Sequence, residues 1–347
     1  MQYPISSKIM NNQQFSFELT PKYKYRQRDE GLAISIDPTN TLLVISSKQN
    51  IKIYQFKHGC LKQLQQVFKH LNSICILNFF FRKSYFISGS KNAQIFLWSS
   101  NLIANPKYIT KLIGNSNNLQ CLIKPSKSDE LIIYGTNHKE YAIKFYSYST
   151  LSTWSFIQSI NEHSSTVLGL SINEEANKLI SCGKDCFILI MECSDQSLWY
   201  VKQKISTELW GFRICFINNS LFAFLPNVND PFQQTLKNIH FYIFSDTSGQ
   251  FYKQKEVQIE GGDQKCFELF HSKYIISKQI LLLKNGYTLN FIKFIFSDSS
   301  WECQLVQAIN FGINRGSYLF GTMTEDGKYL ITWDNSNSIQ IRIQENF

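Results

Sequence analysis

Short runs of alternating apolar and polar residues fill this chain, separated by turns rather than by helical stretches. A period of two puts successive side chains on opposite faces of an extended backbone, so each run predicts a strand with one covered face. Gln94-Ile95-Phe96-Leu97-Trp98 and Phe187-Ile188-Leu189-Ile190-Met191 are two of them, rich in the β-branched and aromatic residues that suit a pleated surface. Turn sequences such as Thr247-Ser248-Gly249 and Asp326-Gly327 punctuate the pattern. No helical spacing is sustained over three turns, and an all-β fold is expected.

The runs also recur at long range. From His70 the chain passes Ser88, Asn92 and Trp98 at offsets of 18, 22 and 28, and from His163 it passes Ser181, Asp185 and Met191 at the same offsets. Equivalent strands end near Tyr54, Trp98, Tyr146, Met191, Phe244, Phe296 and Arg342, spaced 44 to 53 residues apart. Ile243-Phe244-Ser245-Asp246 returns as Ile295-Phe296-Ser297-Asp298, and an aromatic leads a later strand at Trp154, Trp199, Phe251 and Trp301. A period of this size marks a repeat architecture, here seven units of about four strands.

The marks resemble those of the WD-repeat family, whose repeat couples a Gly-His pair, a Ser or Thr, a turn Asp and a Trp-Asp pair. Here the Gly-His pair stands as Lys69-His70 and Glu162-His163, the turn Asp as Asn92 and Asp185, and the Trp-Asp pair as Trp98-Ser99 and Met191-Glu192. The resemblance implies a seven-bladed β-propeller of four-stranded antiparallel blades, with these residues tying a loop to a turn inside a blade. Only two units carry the marks well, so the resemblance does not imply the full network for most blades, while the architecture rests on period and strand pattern. Within the family, Glu162-His163-Ser164-Ser165-Thr166-Val167 with Lys184-Asp185, and the Trp ahead of the outer strands, is similar to the WD-repeat subunit of the cytosolic iron-sulfur protein assembly complex.

A ring of sheets must close, because each sheet has a face that only a neighbour can cover and an open ring exposes strand edges. The last unit supplies three strands, over 316–322, 328–333 and 338–343. The fourth is expected from the other end of the chain, at 14–19 or 22–28, ahead of a first-blade strand at 32–36. The expected division is an N-terminal segment, 1–30, containing that closing strand, and a propeller over 31–347.

Composition sharpens this picture. In 347 residues, 44% are hydrophobic and 15% aromatic, enough for a large core, while 18% charged residues and 7 prolines argue against long disordered stretches. The first residues contain no apolar leader, and the most apolar stretch, 74–81, is broken by Asn78 and too short to span a bilayer. A cytoplasmic protein without a membrane span is expected, and the nucleus is also compatible. Nine cysteines, an odd number lying mostly in apolar runs, fit a reducing compartment. The net charge of +9 is spread without a long basic run and favours acidic partners mildly. The abundant Asn and Gln are read as compositional bias and given no chemical weight.

Candidate chemistry is sparse. His163, Ser181 and Asp185 are the residue types of a hydrolytic triad, yet the same frame recurs at His70, Ser88 and Asn92 with no acid, which favours a structural role. Cys182, Cys186 and Cys193 with His163 form no C-x-x-C pair, and no phosphate-cradling glycine loop is present. No enzyme, metal or cofactor is therefore expected. Lys22-Tyr23-Lys24-Tyr25-Arg26-Gln27-Arg28 would put Lys22, Lys24, Arg26 and Arg28 on one face of a strand and the tyrosines on the other. Such a ribbon suits a polyanion such as nucleic acid, but the preferred reading is an outer strand whose cations discourage edge pairing. The resemblance implies that the His loops and Asp turns open on one circular face. That places Asn72, Lys91, Ser165 and Lys184 where partner proteins dock, with Trp210 and Arg213 on the same rim in the fifth unit. The expected role is a non-enzymatic scaffold within a hetero-complex.

Overall fold

The computed structural model describes residues 15–346, apart from 102–107, 114–118, 126–128, 138–139, 150–152, 196, 228–236, 263–269, 299, 313–317 and 335. Seven antiparallel sheets of four strands make up the fold. Blades 1 to 6 follow one another along the chain over 34–68, 74–113, 119–160, 167–206, 213–258 and 273–310. Blade 7 joins 319–346 to the strand Phe15–Arg26. The first strands of several blades line a common central cavity of about 280 Å³, while the fourth strands alternate exposed and covered residues at the rim. All seven strand ends read from the sequence fall on the third strand of successive blades, from Asn50–Lys57 to Ser338–Asn346. Among the described residues the one helical turn is Ile276–Lys278.

The core is distributed around the ring. Its buried side chains form clusters that each draw on two neighbouring blades: Leu43, Phe320 and Trp333 join blade 1 to blade 7, and Ile53, Leu77 and Trp98 join blade 1 to blade 2. Further clusters cover the junctions between blades 2 and 3, 3 and 4, 4 and 5, 5 and 6, and 6 and 7. With a cluster at every junction the ring is closed, and each blade is stabilised mainly by burial against its neighbours.

Closure comes from the N-terminal strand. Phe15–Arg26 pairs antiparallel with Ser338–Asn346, from Phe15 opposite Asn346 to Arg26 opposite Ser338, with a register shift between Leu19 and Lys24. The two segments proposed from the sequence are thus one strand bent at the shift. Phe17 and Tyr23 are buried, and the Tyr25 hydroxyl accepts the Leu61 N–H of blade 1 at 2.9 Å. Lys24, Arg26 and Arg28 are exposed, as the alternation requires. The Lys22 side chain lies outside the described residues, as does Cys266. The described cysteines are free thiols, with Cys75, Cys121, Cys182 and Cys215 buried.

A second set of ties runs around the rim. The outer strands of blades 3, 4 and 6 each bulge by one residue, at Ile157, Lys202 and Val306. The residue after the bulge is a glutamine in all three, and its side-chain amide reaches the free edge of the next blade. Gln203 accepts the Phe251 N–H and donates to the Phe251 carbonyl, both at 2.8 Å. Gln158 does the same to Trp199, and Gln307 to Phe17 of the closing strand. In blade 5 the equivalent residue is Lys255, whose ammonium sits 3.7 Å from the centre of the Trp301 ring in blade 6. The reading of Gln as compositional bias is corrected at these positions. Replacing Gln203 by Ala removes two hydrogen bonds and should lower stability by about 1–2 kcal/mol; a urea melt checks this, and an unchanged midpoint would show the clasp to be idle.

Candidate interaction surface

The repeat marks meet inside two blades. In blade 2, the Trp98 indole N–H donates to Ser88 Oγ at 2.8 Å, and Ser88 Oγ lies 2.6 Å from His70 Nε2. His70 Nδ1 is 3.0 Å from Ser90 Oγ, which donates to the Asn92 side-chain oxygen at 2.6 Å. In blade 4, His163 Nε2 lies 2.8 Å from Ser181 Oγ and Nδ1 lies 2.9 Å from the Asp185 carboxylate. Blade 4 dispenses with the relay because Gly183 stands where blade 2 has Ser90. A Cβ at Gly183 would come within 2.5 Å of His163 Nδ1 and closer still to Asp185. Met191 fills the place of Trp98 and is fully buried, without an indole donor.

The geometry of a triad is present in blade 4, but Ser181 has no exposed surface and His163 is buried. No substrate carbonyl can reach that hydroxyl. The network instead fastens the loop entering a blade to the turn between its second and third strands. Blade 7 carries other chemistry at the matching strand position: Arg342 takes the place of Trp98 and donates to Thr332, ten residues upstream, at 3.2 Å. Its guanidinium packs 4.6 Å from the centre of the Phe311 ring. The sequence reading used Arg342 as a strand mark and missed this role.

Both networks carry pH dependence. Burial lowers the His70 pKa from its usual 6.5 to about 4. For Asp185, burial pushes the carboxyl up, but hydrogen bonds from His163 and from the backbone N–H groups of Ser164 and Phe187 outweigh it and hold it below the usual carboxylate range. Both folded-state values are depressed, so both contributions are complete at neutral pH and fade on acidification. The His70 contribution is lost as pH falls from 6.5 towards 4, by about 2 kcal/mol at pH 5; that of Asp185 is lost at still lower pH. Denaturant melts at pH 7 and pH 5 should show that fall added to the one from His271, whose burial likewise lowers its pKa to about 4, and His70→Asn should shrink the total by about 2 kcal/mol. An equal fall in the variant would remove His70 as its cause.

The fastened loops and turns open on one face of the ring and are stitched across it. The Lys91 N–H donates to Ser73 at 3.0 Å and the Lys184 N–H to Thr166 at 2.8 Å. Lys91, Lys184 and Asn72 are exposed there, and Ser165 is half-buried. Trp210 is half-buried on the loop into blade 5, its ring edge-on to Phe212 at 4.9 Å and its carbonyl accepting the Asn227 N–H at 2.7 Å. Arg213 departs from expectation. It begins the innermost strand of blade 5, is only 2% exposed and stacks on Phe212, so burial keeps it from the rim. Lys24, Arg26 and Arg28 lie along the closing strand and the loop after it.

Comparison with known proteins places this geometry. Residues 154–190 match the family model described as WD domain, G-beta repeat, which spans the outer strand of blade 3 and most of blade 4. A chain in the crystal structure titled Mitotic Checkpoint Complex is similar in shape, with a TM-score of 0.71 and 14% identity over 99% of this chain and 96% of that one. In all, 1539 chains of known structure match, so the shape by itself selects no partner. No curated protein matches the sequence significantly.

Proposed function

Because the chain is a seven-bladed β-propeller with a WD repeat in its fourth blade, we propose that it is a non-enzymatic scaffold, a subunit of a larger intracellular assembly that holds other proteins on the face where its loops and turns open. One observation carries the reading. The loops bearing Asn72 and Ser165 and the turns bearing Lys91 and Lys184 are fastened from beneath by buried networks and to one another by backbone bonds. A face ordered before binding loses little further entropy when a partner docks. The exposed lysines favour acidic partners. The cytoplasm or nucleus is the compartment this role requires.

The test is affinity purification of the tagged protein from its own cells, with and without nuclease. A stable, nuclease-resistant set of proteins is expected, and Lys91→Glu with Lys184→Glu should reduce its recovery at least tenfold. Loss of all partners on nuclease treatment would select the polyanion-binding reading, with Lys24, Arg26 and Arg28 as its ribbon. Recovery of iron-sulfur assembly factors would select membership of that machinery. If nothing co-purifies, the scaffold reading fails.

A further inference from the structure

The two most exposed large apolar side chains among the described residues are Leu71, at 79%, and Phe68, at 70%. They lie three residues apart where blade 1 hands over to blade 2, on the face just described. His70 between them points inward and is held by Ser88 and Ser90, so the loop is anchored with Phe68 and Leu71 outside it. Water gains nothing from an ordered loop that presents bulky apolar groups; a partner does.

The surroundings of these two residues are basic. The Lys48 N–H donates to the Glu30 carbonyl at 3.1 Å, the Ile74 N–H to the Lys48 carbonyl at 2.9 Å, and the Lys91 N–H to the Ser73 carbonyl at 3.0 Å. These bonds join the loop into blade 1, the turn at Lys48, the loop with Phe68 and Leu71, and the turn at Lys91 into one surface. Arg28, Lys48, Lys69 and Lys91 are exposed along it. Against them stand Glu30 and Asp29, and Asp29 is already engaged by the Ser47 hydroxyl at 2.8 Å and lies 3.9 Å from Lys48. Among the described residues no ion pair occupies Lys69 or Lys91. The loops into blades 4 and 5, in contrast, expose Glu162 and Glu208.

We infer that this sector docks a segment of a partner protein in which carboxylates flank a bulky apolar residue, the apolar group seating on Phe68 and Leu71 and the carboxylates meeting Lys48, Lys69 and Lys91. The inference rests on the scaffold reading and narrows it to one sector and one partner chemistry. A nucleic-acid ligand accounts for the cations but leaves Leu71 without a purpose, whereas an acidic, apolar segment uses both features.

The experiment selects peptides from a random phage-displayed library on the intact protein and measures binding of the best synthetic peptide by fluorescence anisotropy. Enriched peptides should carry Asp or Glu around a Leu, Ile, Met or Phe. Phe68→Ser with Leu71→Ser, and separately Lys48→Glu with Lys91→Glu, should each weaken binding at least tenfold. These side chains are exposed, so melting should be unchanged. Peptides without acidic residues, or binding indifferent to the Phe68 and Leu71 changes, would overturn the inference. So would displacement of the peptide by a short RNA whose own affinity ignores those changes, which would assign the sector to a polyanion. Co-purification by wild type and by the Phe68→Ser, Leu71→Ser variant separates the two readings. Partners retained by both would sink the sector alone, and partners absent from wild type would sink the scaffold.

Discussion

Deleting residues 1–26 is expected to abolish the folded ring, leaving a chain that elutes as aggregate and melts without a cooperative transition. The deletion strips the partner from Ser338–Asn346 and exposes that strand along its length. It removes Phe17 from the cluster between blades 6 and 7 and Tyr23 from the cluster between blades 7 and 1. Each such side chain contributes about 1.5–3 kcal/mol by burial, and the strand's hydrogen bonds and the Tyr25 and Gln307 ties go with them. Against a typical total stability of about 5–15 kcal/mol that sum is decisive. Circular dichroism and size-exclusion chromatography read the outcome, and a synthetic peptide of residues 15–26 added in trans should restore part of the signal. A cooperative melt at the wild-type temperature would show that closure does not depend on this strand.

Trp98→Ala should be the most damaging single substitution in blade 2, costing about 3–5 kcal/mol. The indole is 1% exposed, stacks on Phe86 at 6.0 Å and touches Phe96 and Tyr108, so its loss opens a cavity at the junction of blades 1 and 2. It also withdraws the donor from Ser88, weakening the anchor of the loop that carries Phe68 and Leu71. Trp98→Phe separates the two effects, because it keeps most of the volume and loses only the N–H. Denaturant melts of both variants, combined with Ser88→Ala in a double-mutant cycle, should give a coupling of about 1 kcal/mol for the indole alone. Equal costs for Phe and Ala at this position would mean that the cavity is not the cause.

Much of the fold was legible in the residues because a propeller repeats one solution. The alternation locates strands, the offsets from His70 and His163 locate blades, and the three-strand remainder after residue 316 demands a closing strand. What escaped was chemistry that depends on register. Gln158, Gln203 and Gln307 look like any other glutamines until a one-residue bulge turns their side chains towards the next blade. Arg213 follows a run that resembles a rim loop, yet the first strand of blade 5 begins at that residue and carries it inward. Arg342 reads as an ordinary strand cation because its partner, Thr332, belongs to a blade whose other marks have drifted. Ser90 and Gly183 differ by a few atoms, and that difference decides whether a histidine meets its acid directly or through a relay.

The closing strand also sets an order of events during synthesis. Phe15–Arg26 emerges from the ribosome before its mate, Ser338–Asn346, which is made about 320 residues later, a delay of roughly 16–64 s at ordinary elongation rates. Throughout that interval an amphipathic ribbon of buried-type aromatics waits without its hydrogen-bonding mate. Lys24 and Arg26, outward-facing in the finished ring, give the waiting ribbon a charge that repels a second nascent copy.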